Sequence, residues 1–138
     1  MLNRLDIKIY ISIVSHNQSS LAYDLVVSLL KNTSAVVHYI ENDPHAPLIN
    51  LSNANFIPHH NDEIKGFGEN HNFAFKNLNT REDDIFIICN PDISFNNTEL
   101  NKFTHLCNNI GNELSTIRII DNHGYIQDNI RANLNLPN

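Results

Sequence analysis

Apolar positions alternate and then run together over Ile7 to Val14, IKIYISIV, which predicts a strand buried on both faces of a parallel sheet. The pattern breaks at Ser15-His16-Asn17. Beyond Ser19 and Ser20, which can cap a helix, Leu21, Leu25, Val26, Leu29 and Leu30 recur at helical spacing as far as Lys31-Asn32. Ala35 to Ile40 then predicts a second strand, and strand, helix and strand within about 35 residues suit a right-handed crossover between parallel neighbours. Glu41-Asn42-Asp43-Pro44 opens a connector rich in Pro and Asn, in which Asn55-Phe56-Ile57 reads as a short third strand ahead of Pro58. Gly66-Phe67-Gly68 introduces a helix from about Asn70 to Leu78. Asp84 to Cys89, DIFIIC, is the clearest buried strand, and it ends at Asn90-Pro91-Asp92. Thr98 with Asn101 opens another helix whose apolar face is Leu100, Phe103, Leu106, Cys107 and Ile110, with Gly111 as its stop. Ser115 to Ile120 predicts one more strand before a turn at Asn122-His123-Gly124.

Strands alternating with helices imply an α/β three-layer sandwich around a mainly parallel, Rossmann-like sheet, a fold that binds ligands beyond the carboxyl ends of its strands. A chain of 138 residues, 41% hydrophobic and 17% charged, fits one domain, and no repeat or linker divides it. Nine Lys and Arg against fifteen Asp and Glu leave a net charge of −6, which offers no basic field to a nucleic-acid backbone. No apolar run reaches the roughly eighteen residues of a membrane span, and Met1 to Asp6 lack the regions of a signal peptide. A cytoplasmic chain is expected. Cys89 and Cys107 are too few for a disulfide framework and read as packed thiols.

Candidate chemistry lies directly behind the strands. Ser15-His16-Asn17, Glu41-Asn42-Asp43 and Asn90-Pro91-Asp92 each follow one, so a parallel sheet would bring them to a single edge. A carboxylate there can accept bonds from a base or ribose, although Asn, Asp and Pro are also ordinary turn formers. Asp92 is the candidate for a hard divalent cation, which one carboxylate can hold together with substrate phosphates. Pro91 restricts Asn90 to an extended backbone and so fixes Asn90 and Asp92 relative to the edge. Gly66-Phe67-Gly68 leads into a helix start, where free N–H groups favour an anion, with His71 and Asn72 expected in the first turn. Adjacent His59 and His60 point to opposite sides of an extended segment and have no zinc-ligand spacing. No Ser or Cys stands in a nucleophile motif, and Asp83-Asp84 reads as a solvated turn at the opposite edge.

Taken in order, these segments resemble the N-terminal part of a family 2 glycosyltransferase, especially its rhamnosyltransferase-like members. ISIVSHNQ is similar to that family's first strand and loop, VVHYIEND to its second strand with an acidic end, and GFGENHNFAF to its helix entry. IFIICNPDI is similar to the strand bearing the Asn-Pro-Asp form of the metal-binding motif, and GYIQDNIR to a stretch downstream of it. The likeness runs from Ile7 to Arg131.

The resemblance implies a GT-A fold, a nucleotide-diphosphate sugar as donor with dTDP-rhamnose the leaning, and inversion at the anomeric carbon. On it, Asp92 is the ligand of a divalent cation, Mg or Mn, and Glu41 falls where the family has an Asp contacting the nucleoside. Ser15, His16 and Asn17, with Asn42 and Asn90, would border the nucleotide; Gly66, Phe67 and Asn72 would line the ribose and diphosphate side; Arg131 would reach a phosphate. Glu41 in place of Asp, Ala74 in place of a frequent Gly, and Ile64 in place of a frequent Asn depart from the pattern. Family members continue into an acceptor-binding half that carries the general base, so the expectation is a truncated, donor-binding part and no catalytic base is assigned. The implied setting is surface polysaccharide assembly, O-antigen or capsule, with a lipid-linked saccharide acceptor at the inner face of the membrane. The alternatives are an inactive α/β remnant that only binds nucleotide or another protein, and an unrelated doubly wound domain. The second would carry its glycines after the first strand, where this chain has Ser15-His16-Asn17.

Overall fold

The computed structural model describes residues 7–111 and 114–127. In chain order the elements are β1 (Ile9–Ser15), α1 (Ser19–Asn32), β2 (Val36–Glu41), β3 (Phe56–His60), α2 (Phe67–Asn77), β4 (Ile85–Cys89) and α3 (Asn97–Cys107). The four strands form one sheet, ordered β3, β2, β1, β4, and every pairing is parallel. Helices on both faces complete the three-layer α/β sandwich.

β1 is buried along almost its whole length, its two serines included, because it has a strand on each side and a helix on each face. Register partners share a face, so Ile11, Val37 and Ile87 project one way while Ser12, His38 and Ile88 project the other. The first face closes on Ala22, Leu25, Val26 and Leu29 of α1 and on Leu100, Phe103 and Cys107 of α3, and this is the hydrophobic core. The second face is covered by α2, which buries Asn70, His71 and Ala74.

The elements differ from the sequence reading at their ends. The buried stripe of α1 is Ala22, Leu25, Val26 and Leu29, a spacing that turns Leu21 outward. Gln18, not Ser19 or Ser20, is its N-cap, and the Gln18 N–H is taken by Ser15 Oγ at 3.0 Å. α2 starts at Phe67 rather than Asn70, which moves His71 and Asn72 into the second turn. α3 is opened by Asn96: its side chain accepts from the Glu99 N–H at 2.9 Å, and Glu99 Oε2 accepts from the Asn96 N–H at 2.8 Å. Residues 115–119 form no strand. Ile120 and Ile126 make one isolated antiparallel bridge around a turn, with Gly124 at φ 84° and the Asp121 carboxylate accepting from the His123 and Tyr125 N–H groups. The four-stranded sheet does not extend to this run, whose backbone instead closes the turn through the Gln127 N–H donating to the Ile119 carbonyl at 2.9 Å. No helix among them is long and apolar enough to cross a membrane.

Candidate functional site

Because the strands are parallel, their carboxyl ends share one edge. α2 runs the opposite way: the Tyr10 hydroxyl, near the start of β1, donates to the Asn79 carbonyl just past the end of the helix, so Gly66 and Phe67 stand at the carboxyl edge. Ser15-His16-Asn17, Glu41-Asn42, Gly66-Phe67 and Asn90-Pro91-Asp92 are therefore brought together there, as their places behind strands imply. Asn72 shares the helix, but it is exposed while its neighbours Asn70 and His71 face the sheet. Arg131 lies outside the described residues.

Glu41 is fully buried, and both its oxygens are engaged by the protein. Oε2 accepts from the Ser15 and Tyr39 hydroxyls, each at 2.9 Å. Oε1 accepts from the Asn17 N–H at 2.9 Å and the Asp43 N–H at 3.1 Å. Asn17 can turn its N–H inward because its backbone is left-handed, φ 55°, which Asn tolerates better than most residues. Burial, with Glu41 alongside, holds the Tyr39 phenol well above its ordinary pKa and so keeps it a donor. In this arrangement Glu41 shapes the β1–α1 loop from below, and the loop carries the exposed His16 and Asn17 side chains.

Asn42 is also committed inward. Its Oδ1 accepts from Asn61 Nδ2 at 2.8 Å, the Lys65 N–H at 2.9 Å and Asn70 Nδ2 at 3.1 Å, while its Nδ2 donates to the Lys65 carbonyl at 3.0 Å. Asn61 also donates to Asn70 Oδ1 at 2.7 Å, and Asn70 Nδ2 reaches the Gly66 carbonyl at 3.1 Å. Three buried amides thus tie the end of β2 to the residues after β3 and to the start of α2, which fixes Gly66 at the edge. Gly66 caps that helix without a side chain, and Glu69 reaches back to its N–H at 3.4 Å.

Asn90 and Asp92 are exposed at the rim past β4, around a buried Pro91. Burial pushes the neighbouring Cys89 thiol up to about 12, and the Asp92 charge adds to the shift, so the carboxylate lies close to the end of the strand. β4 and β2 flank β1, so the rim that carries Asp92 is separated from the end of β2 by one strand. Among the described residues no three His, Cys, Asp or Glu side chains converge. An exposed carboxylate with an amide beside it fits a Mg or Mn ion shared with ligand phosphates and water, and does not fit a closed all-protein cage. His59 packs on Phe73 while His60 Nε2 donates to the Asp43 carbonyl at 3.0 Å, the opposite directions that strand alternation predicts.

At the other edge Asp84 is not a solvated turn residue. Its side chain is 1% exposed, accepting from the Lys8 N–H at 2.9 Å and the Arg81 N–H at 2.8 Å, with the Arg81 guanidinium at 3.2 Å. These donors outweigh the cost of burial and hold its pKa below the ordinary carboxylate value. A depression of about 350 Å³ beside it is lined by Phe75, Thr80, Arg81, Glu82, Asp84 and Phe86. Sequence reasoning missed Ser12, Tyr39, Asn61 and Asn70 as parts of the edge and of the layer beneath it. A polar residue inside an apolar strand, as at Ser12 and His38, was the available signal.

No family model, no curated protein and no solved structure matches the chain.

Proposed function

We propose that this chain binds the nucleotide of a nucleotide-diphosphate sugar at the carboxyl edge of its sheet, as the donor-binding part of an inverting, rhamnosyltransferase-like glycosyltransferase. The acceptor would be a lipid-linked saccharide in surface polysaccharide assembly. One observation carries the reading: the polar segments behind β1, β2 and β4, and the start of α2, meet at one edge of a parallel sheet. The exposed His16, Asn17, Phe67 and Asn90 side chains are the groups free to meet a ligand, while Glu41 and Asn42 set the shape of the loops that carry them.

Charge decides how a diphosphate is held. The loops of this edge carry Asp43, Asp62, Glu63 and Asp92, with Glu69 in the first turn of α2, against Lys65. That balance repels an anion, so the unaided helix start is a weak phosphate site. Asp92, with Asn90 beside it, would hold the divalent cation, which supplies Lewis-acid stabilisation of a leaving diphosphate when bound. Calorimetry with dTDP, with and without Mn or Mg, tests the reading. Asp92→Ala should weaken metal-dependent binding at least about ten-fold, 1.4 kcal/mol, and leave the metal-free affinity unchanged. Nucleotide affinity that ignores both metal and substitution would overturn Asp92's role.

A second reading, as a protein-interaction module, draws on Ile88, 55% exposed on the edge strand β4. Self-association in sedimentation runs without any nucleotide affinity would favour it.

A further inference from the structure

The layer between α2 and the sheet encloses two imidazoles beside buried Tyr10, Ile40 and Ala74, whereas the opposite layer buries no histidine among the described residues. Ser12 of β1 and His38 of β2 are register partners and project from the same face. His71 of α2 descends onto that face, its Nδ1 paired with Ser12 Oγ at 2.7 Å. Both histidines are 2% exposed. His38 Nδ1 and His71 Nε2 are enclosed without a hydrogen-bond partner among the described residues.

Among the described residues, the groups around the two rings supply no negative charge to balance a proton. From α2, Phe73 meets His38 edge-on at 6.1 Å between ring centres and Phe67 meets His71 at 4.4 Å. From β3 comes His59, in ring contact with Phe73 at 4.4 Å, and from the loop before α2 comes Lys65, whose ammonium lies 5.9 Å from the same ring. β4 contributes Phe86 and Ile88 to this face, and Tyr10 of β1 spends its hydroxyl on the Asn79 carbonyl. Glu69, at the exposed start of α2, is turned back to the Gly66 N–H.

We infer that this layer is a proton-operated latch: α2 is seated while His38 and His71 are neutral, and proton uptake by them lifts α2 from the sheet while the α1/α3 layer stays folded. The device goes beyond the nucleotide-binding reading and does not rest on it. An imidazole with one nitrogen enclosed and unpaired can carry a second proton at little cost only where both N–H groups reach water or an acceptor, so protonation and opening are linked. Burial lowers the proton affinity of both rings, that of His38 to a pKa of about 4 with His59 acting in the same direction. The seated form therefore binds fewer protons than the open one below the ordinary imidazole pKa near 6.5. Its advantage is full above that value and shrinks as pH falls toward 4. Between pH 7.5 and 5.0, His38 alone shifts the balance toward the open form by about thirty-fold.

Amide hydrogen exchange on the full chain at pH 7.5 and 5.0, corrected for the intrinsic rate, tests the latch. Amides of Asn70 to Ala74 should lose at least ten-fold protection at the lower pH while those of Ile11 and Ile13 keep theirs. The double variant His38→Phe with His71→Asn, whose amide can still meet Ser12 Oγ, should erase the difference. Equal α2 protection at both pH values, simultaneous loss in α2 and β1, or a difference that survives the double substitution would overturn it. Should the double variant not fold, the ring NMR signals of the unmodified chain decide. Neutral His38 and His71 in the seated form, gaining protons only as α2 opens, are expected; protonation with α2 still seated defeats the idea.

Discussion

Glu41 shows how a polar residue at the end of a strand can be buried with both oxygens hydrogen-bonded. Four donors converge on its carboxylate, two hydroxyls on one oxygen and two backbone N–H groups on the other. The two sides are not equivalent, because a hydroxyl can turn and accept whereas an N–H cannot. Glu41→Gln should therefore place its carbonyl toward Asn17 and Asp43 and its amide toward Ser15 and Tyr39, and cost about 1 kcal/mol in denaturant unfolding. Glu41→Ala, which strands both N–H groups and empties the site, should cost about 3 kcal/mol or more. Equal losses would mean that the four contacts do not hold the loop. The acidic residue at this position was legible in the sequence as a feature of the edge; its inward direction was not, because the donors at Ser15 and Asn17 reach it only once β1 and β2 are in register.

At the scale of elements, all seven helices and strands described here had a counterpart in the sequence, β3 and α2 through Pro and Gly signals and the others through a periodicity that reports which side chains must leave water. The strand expected over Ser115 to Ile120 did not form. The parallel sheet and its shared edge followed from the strand and helix alternation. Element ends were less legible: the Asn96 and Glu99 capping pair and the Gly66 start of α2 depend on backbone bonds that apolar spacing does not report. The Asn42, Asn61 and Asn70 network was hidden for a further reason. Its members lie far apart in sequence and look like turn formers one at a time. Asp84 belongs to the same class, because it joins the start of β4 to β1 through Lys8, 76 positions away. Asp84→Ala should lower stability by about 2 kcal/mol and loosen β4 before β2, read as earlier loss of amide protection at Ile87 than at Val37. The depressed carboxylate pKa adds a sign: its share of stability is complete above the ordinary Asp range and fades as pH drops through the folded value. A denaturation midpoint that Asp84→Ala lowers equally at pH 7 and pH 2 would contradict it.

For the whole molecule, the two layers divide the work. The α1/α3 side supplies the aliphatic core, and the α2 side trades apolar burial for histidines and amides that fix loops at the edge. Strand order adds a temporal consequence. β1 meets β2 across the short α1 crossover, whereas it meets β4 only when Ile9 finds Ile85. Closing the longer stretch costs roughly 1 kcal/mol more chain entropy, so β4 is expected to dock after the first crossover has consolidated. In refolding experiments Ile87→Val should then speed unfolding with little change in the folding rate, while Val37→Ala slows folding. A chain emerging from the ribosome would complete β1 to β3 with the rim still lacking Asn90 and Asp92, so the carboxyl edge would be whole only after β4 has docked beside β1.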